Sequence, residues 1–481
     1  MEGISMCMRR MTLIIVLVVA LTVGCVGSDN IPPTIEYSSP ASQSLSTTPY
    51  SSLEFSISAS DPEDEVTYRW YVNDDLEGSN ASFSHQFVDE GSYTVRGIAD
   101  DGIDSVATVW DVEVTIDDDA LRATIASLRS LEFTSEVPFE EITREELIED
   151  VNEDFEQRAD EIRLTQRILY AFNVWEGDDL LSTLKSFYAG EAWGYYNSAE
   201  DTYYYVADAD KPPIVKMVTM AHELTHALQD MHYGIPSLYA GADDDDEVLA
   251  IESLIEGDAT YIEERYIESL GIEERAALYR YYASQELPDY DPFVASLVLY
   301  PYSHGQRFVA SLVTGEGMGY LADVYTDPPE TTEQILHPET YRSGEGPMDV
   351  DIVYDTPLEK LDENTLGEGM LRLFLDQHVT MEQARNAAAG WGGDAYAYYA
   401  SEDDYMLVYV SRWDTEEDAV EFFNTYVMAI EAWGDDYREI DRDGTLLHAA
   451  NDGRLVKMER SSTTVTLIIR PEPDGQQSGG S

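Results

Sequence analysis

The chain has 481 residues, enough for two or three domains, and its 43% hydrophobic content is sufficient for packed cores. Against 95 Asp and Glu stand 28 Lys and Arg, giving a net charge of −67 and a pI near 4.1. A field of that sign repels polyanions, so nucleic acid and anionic lipid headgroups are excluded as partners. The acid is spread between apolar segments along the whole chain, unlike the charge block of a disordered tail. Only five of the cations are lysines: Lys185, Lys211, Lys216, Lys360 and Lys457. Such a surface suits concentrated salt, where the Debye length falls to about 3 Å and self-repulsion is screened. The composition predicts a halophilic archaeal source.

At the N-terminus, Arg9 and Arg10 precede an apolar run from Leu13 to Leu21, followed by Thr22-Val23-Gly24-Cys25. A basic region, a short apolar core and small residues before a cysteine predict a signal peptide over 1–24. The apolar run is too short to span a bilayer as a retained helix, which takes about 20 residues. The ending resembles the lipobox of lipoproteins, which implies lipid attachment at Cys25 and a membrane partner at the extracellular face. The paired arginines resemble a twin-arginine export signal. Cys7 would leave with the signal, so the mature chain would hold Cys25 alone. No disulfide framework or cysteine metal site is then possible, and any metal falls to His and carboxylate.

Residues 25–50 are rich in Ser, Pro and Thr, as a stalk would be. From 51 to 117 short segments alternate polar and apolar residues: Leu53-Glu54-Phe55-Ser56-Ile57, Val66 to Val72, and Ser92-Tyr93-Thr94-Val95. They predict strands. With Ala59-Ser60-Asp61-Pro62-Glu63-Asp64 and Phe87-Val88-Asp89-Glu90-Gly91, this stretch resembles PKD-like and related immunoglobulin-type sandwiches. The resemblance implies a spacer or adhesion module, with the aspartates as loop residues. Asn80-Ala81-Ser82 is a lone glycosylation sequon.

After Asp117 the period turns helical. Helices are expected at 120–130, 143–173 (capped by Thr143), 178–190, 213–233, 247–269, 303–314, 367–390 and 415–433. Trp193 to Val206 reads as a hairpin, while Tyr405–Val410 and Thr464–Ile469 read as strands. Asp243 to Glu247 is a run of five carboxylates, expected to be a solvated loop. The tail over 471–481 has a disordered composition.

His222-Glu223-Leu224-Thr225-His226 carries the chemistry. Histidines four apart on a helix stand on one face, where both can hold one zinc, and Glu223 can reach a water beside the metal. A third protein ligand would leave one position open. The next predicted helix offers Glu252 and Glu256, in Glu252-Ser-Leu-Ile-Glu256-Gly257-Asp258-Ala259. His222 to Asp230 is similar to the active helix of thermolysin-type enzymes, and Glu256-Gly257-Asp258-Ala259 looks like the glutamate element of gluzincins. That resemblance implies Glu256 as third ligand, with Glu252 the alternative, in which case Glu256 would orient a histidine. The gap of 30 residues after His226 fits this group rather than the metzincins. His232 lies off the ligand face.

Tyr300-Pro301-Tyr302-Ser303-His304-Gly305-Gln306-Arg307 resembles the gluzincin segment that supplies an oxyanion donor, which implies Tyr302 first, then His304 and Arg307. The alternative is a helix start with aromatic packing. Trp193 to Val206 would be the edge along which a peptide aligns. Thr332 to Glu339 and Ala389 to Asp394 are similar to segments of an archaeal and bacterial family of exported proteins that share the His-Glu-Leu-Thr-His-Ala-Leu-Gln helix. This likeness spans about 120–440 and implies a common fold. His337 is open to a site role or to packing beside Pro338.

The expected architecture is therefore multidomain: an all-β sandwich, then an α+β zincin-like metallopeptidase domain over 118–470, mostly helical with an α/β C-terminal part. The expected activity is peptide hydrolysis with Zn2+ as cofactor and Glu223 as general base and acid. The alternative is a surface-binding or envelope protein that keeps this fold without turnover. Partners would be a peptide or protein substrate and the membrane.

Overall fold

The computed structural model describes residues 30–473 except 178, 208–210, 286–289 and 403. The expected signal peptide, Cys25 and the last residues of the tail lie outside the described residues.

The chain divides into two compact units, the first ending at Thr115. Its strands are β1 (Thr34–Ser39), β2 (Ser44–Thr47), β3 (Ser51–Ser60), β4 (Thr67–Val72), β5 (Asp75–Gly78), β6 (Ser82–Phe87), β7 (Gly91–Asp100) and β8 (Ser105–Val114). They form two sheets, β1-β3-β6 and β2-β8-β7-β4-β5. Alternation puts one face of each inward, closing a core on Phe55, Trp70, Phe87 and Trp110. The two indole rings stack with centroids 5.7 Å apart. Their N–H groups reach backbone oxygens of Asn80 and Pro40 at 2.7 and 2.8 Å, so neither buried donor is left unsatisfied. A Cβ on Gly97 would lie 2.7 Å from the Trp70 ring, which explains the glycine in a strand interior.

The stalk expected over 25–50 is corrected here, because β1 and β2 already belong to the sandwich. Both are edge strands, largely solvated, and Ile35 and Leu45 alone are too few to mark them as strands within the Ser/Thr/Pro-rich stretch, although both pack on the core.

The second unit mixes helices and strands. It begins with α1 (Asp118–Arg129), β9 (Phe139–Ile142), α2 (Arg144–Gln157), α3 (Ala159–Ala171) and α4 (Leu180–Glu191). Thr143 caps α2 in a reciprocal pair with Glu146, as expected, but the helix predicted over 143–173 breaks in two at Arg158. The hairpin is β10 (Gly194–Asn197) and β11 (Thr202–Val206); β9 adds in parallel on the other side of β11, leaving β10 at the edge.

Next come α5 (Pro213–Tyr233), α6 (Ile235–Tyr239), α7 (Asp245–Ser269), α8 (Ile272–Ser284) and α9 (Pro292–Glu316). Proline opens α5, and Gly234 closes it at φ +69°. The carboxylate run is no solvated loop: Asp244 caps α7 by accepting from Glu247 N at 3.0 Å, and Asp246 is buried, accepting from the amide and hydroxyl of Thr332. Helix α9 starts well before the expected 303 and runs through Pro301, which is buried inside it.

Short helices α10 (Leu321–Thr326), α11 (Thr332–Leu336) and α12 (Pro338–Ser343) follow, then β12 (Glu359–Asn364), α13 (Gly367–Asp376), α14 (Met381–Ala388), β13 (Trp391–Ala400), β14 (Tyr405–Trp413), α15 (Glu416–Ala432), β15 (Arg438–Arg442), β16 (Leu446–Asn451), β17 (Arg454–Ser461) and β18 (Thr464–Pro471). The helix expected over 367–390 is thus two, the second capped by Thr380. The strands make one antiparallel sheet, β12-β13-β14-β18-β17-β16-β15, packed on α3, α4, α13, α14 and α15 through Phe172, Phe374, Trp413 and Phe422.

Helices α7 and α9 meet at two glycines. A Cβ on Gly257 would lie 2.2 Å from the Gly305 carbonyl carbon, and one on Gly305 would lie 1.8 Å from Ser253 O. Backbone cannot yield as a flexible side chain can. Gly305→Ala is therefore expected to destabilise the protein by about 1–3 kcal/mol or more through overpacking. Gly315→Ala on the same helix, where the new carbon would meet only the end of Arg342 at 3.3 Å, is expected to be neutral or stabilising by up to about 1 kcal/mol. Chemical denaturation of both variants checks this pair.

Candidate metal centre

Helix α5 is apolar on most of its surface, with Ile214, Val215, Val218, Ala221, Leu224 and Leu228 buried. Its position in the core carries His222 and His226, one turn apart, into the interior, with ring centroids 4.8 Å apart. Helix α7 packs beside α5 and brings Glu256 to the same point. The two Nε2 atoms are 3.1 Å apart, and Glu256 Oε2 lies 3.2 Å from His222 Nε2 and 3.4 Å from His226 Nε2. Among the described residues this trio is the set of His, Cys, Asp and Glu whose ligand atoms converge, all within 4.8 Å.

The far nitrogens are also held. His222 Nδ1 lies 3.1 Å from Glu263 Oε2, and His226 Nδ1 lies 2.8 Å from Gln229 Oε1. With acceptors on both Nδ1 atoms, both Nε2 lone pairs face the Glu256 carboxylate, an arrangement that a cation resolves. The donor set fits zinc: bonds of about 2.0–2.1 Å at tetrahedral angles place ligand atoms about 3.3 Å apart, close to the three distances seen here.

The carboxyls around the trio are tuned apart. Burial works against ionising Glu256, yet the adjoining imidazoles outweigh it and hold the carboxyl far below the usual range. Burial likewise opposes charge on His222 and His226, but Glu256, with Glu263 at His222, raises both. Glu223 is 7% exposed and has no such tight partner; burial pushes its carboxyl up, against the pull of the histidines. A buried carboxyl of raised affinity for protons is suited to carrying them. The backbone amide of Tyr196, on edge strand β10, also favours the charged form of Glu223, by less than the histidines do.

Tyr302, on α9, stands over the cluster with its ring centroid 6.0 Å from that of His222. The charge of Glu256, and then burial, hold its hydroxyl protonated, so it is available as a donor. His304 is corrected. Two residues on, it faces another side of α9, packs on Tyr300 at 4.4 Å, and is pushed down to about 4 by burial and by Arg372 and Arg307. Arg307 therefore belongs with His304. Glu252 stays outside the converging trio, pushed up to about 7 by burial and by the neighbouring Glu256. His337 pairs with Glu368 at 3.1 Å, and His232 with Glu132 O at 2.8 Å. A separate cavity of about 290 Å³ is lined by Asp244, Asp246, Glu330, Asp349, Glu363 and Asp394, whose oxygens do not converge on one point.

Glu263 and Gln229 went unread in the sequence, although the signal was there. Glu263 lies seven residues beyond Glu256, two turns on along the same face, and Gln229 lies three beyond His226.

Residues 30–116 match the PKD domain model, and residues 356–478 match a domain of unknown function, DUF8575. No curated protein matches. Among solved structures, a quinonprotein alcohol dehydrogenase-like protein from Bacteroides thetaiotaomicron is 18% identical, covering 18% of this chain and 20% of its own, at a TM-score of 0.16. Fibronectin(III)-like modules of Clostridium thermocellum CbhA are also 18% identical, over 18% of this chain and 47% of theirs, at 0.16. A putative alpha-galactosidase/melibiase from Bacteroides fragilis is 10% identical over 92% of this chain and 98% of its own, at 0.14. The chain thus spans less than half the length of the first two. Likeness this low carries no functional argument; the chain holds an N-terminal PKD domain followed by a mixed helical and β region.

Proposed function

We propose that this protein is a zinc-dependent peptidase of gluzincin type, with a zincin-like second unit, exported and tethered to the outer face of the membrane by lipid on Cys25. The observation that carries the reading is the convergence of His222 Nε2, His226 Nε2 and Glu256 Oε2 beside a buried Glu223 of raised proton affinity. His222, His226 and Glu256 would hold the ion. When bound, zinc supplies a Lewis acid that polarises a peptide carbonyl and acidifies water. Glu223 takes the proton and returns it to the leaving amine. The Tyr302 hydroxyl donates to the oxyanion as it develops. Strand β10, at the edge of its sheet, would pair with an extended peptide. Main-chain pairing of that kind favours broad sequence tolerance.

The chain is expected to bind one zinc, lost in His222→Ala and in Glu256→Gln but retained in Glu252→Gln, as metal analysis after dialysis will read. Glu223→Gln is expected to abolish peptide hydrolysis in concentrated salt while keeping the zinc. Tyr302→Phe should lower kcat by about 10²–10³-fold, whereas His304→Ala should leave it within about threefold. A wild type that holds zinc yet cleaves nothing in a diverse peptide library would favour the surface-binding alternative and overturn the peptidase reading.

A further inference from the structure

Behind His226 lies a chain of buried polar groups that ligand spacing does not account for. Arg129, in the last turn of α1, is 2% exposed; Asp258 on α7 and Gln229 on α5 are both 0% exposed. Charges at that depth persist only when paired and hydrogen-bonded. Asp258 Oδ2 accepts from Arg129 Nε at 2.9 Å, from the Tyr325 hydroxyl at 3.0 Å and from Gln229 Nε2 at 3.2 Å. Gln229 Nε2 also donates to Ile255 O at 2.9 Å.

These contacts settle which way the amide points. A backbone carbonyl and a carboxylate facing a guanidinium can only accept, so the group turned toward them must be the NH2. The amide oxygen is then left against His226 Nδ1 at 2.8 Å. An amide oxygen also only accepts, so Nδ1 must carry the hydrogen. The lone pair of the neutral ring is thereby placed on Nε2, facing Glu256 and His222. Turning the amide over would set oxygen against two oxygens.

We infer that Arg129, Asp258 and Gln229 form a positioning relay that fixes the tautomer and ring orientation of His226. The relay differs from the direct Glu263 contact on His222, because an amide transmits the orientation while keeping net charge off the ring it touches. Its anchor sits on α1, so this helix is a structural member of the centre. The inference rests on the reading of His222, His226 and Glu256 as metal ligands, but its test does not depend on turnover.

The experiment compares wild type, Gln229→Met (similar in length, its thioether only a weak acceptor) and Gln229→Glu (a strong acceptor retained). The tautomer of His226 is read by ¹⁵N NMR in metal-free protein, at a pH where the ring is neutral, with the signal assigned by its loss in His226→Gln. Zinc affinity is read by competition with a chromophoric chelator, and folding by circular dichroism. The wild type is expected to be Nδ1–H at His226. Gln229→Met should become a mixture with Nε2–H and bind zinc about 10–100-fold more weakly, while Gln229→Glu stays Nδ1–H. A folded Gln229→Met that keeps the Nδ1–H tautomer and an affinity within about threefold of wild type overturns the relay. Should that variant fail to fold, a wild type that is Nε2–H at His226 overturns it equally. A wild type that binds no zinc sinks the metal reading, yet the tautomer measurement still decides the relay.

Discussion

Three successive residues of α7 organise the second unit around its centre. Glu256 turns toward the two histidines of α5, Gly257 lies against Gly305 of α9, and Asp258 faces Arg129 of α1 and Gln229 of α5. Adjacent side chains on a helix are about 100° apart, so one turn can address three neighbouring elements at once. The close approach at Gly257 has a direct consequence for the geometry of the site. It lets α9 come near enough to place the Tyr302 ring over His222. A bulkier residue at the crossing would move the hydroxyl away from the atoms that converge below it.

In a chain of net charge −67, the neighbours of each buried acid decide what it does. Two imidazoles hold Glu256 ionised, which suits a ligand. Arg129, Tyr325 and Gln229 all donate to one oxygen of Asp258, which suits an orienting group. Glu223 has no close cation comparable to these, so burial raises its proton affinity and suits it to proton transfer. One residue chemistry is thus placed in three different environments.

The N-terminal PKD domain uses the same economy of space with apolar groups. Gly97 clears room for Trp70, which stacks on Trp110, and both indoles find backbone acceptors. Two large side chains whose polar edges are satisfied can thus be buried together in a small sandwich, beside Phe55, Phe87 and Val95.

Much of this was legible in the sequence because its signals are local. Period-two alternation marked β3, β4 and β7, the four-residue spacing of His222 and His226 marked the helix face, and Thr143 marked the start of α2. Those patterns depend on backbone geometry within one or two turns, which neighbouring residues fully specify. Elsewhere the sequence misled. The Ser/Thr-rich edges β1 and β2 looked like a stalk because edge strands bury little, and the helix expected from 303 begins at Pro292 and carries Pro301 in its interior. The resemblance put Glu256 ahead of Glu252 and Tyr302 ahead of His304, but that Glu256 meets both imidazoles, that the Tyr302 ring faces His222, and that Arg129, Asp258 and Gln229 join in one chain are visible only in the tertiary structure. Each depends on which face of one helix meets another, and contacts such as Arg129 to Asp258 join residues 129 positions apart, beyond the reach of any local pattern.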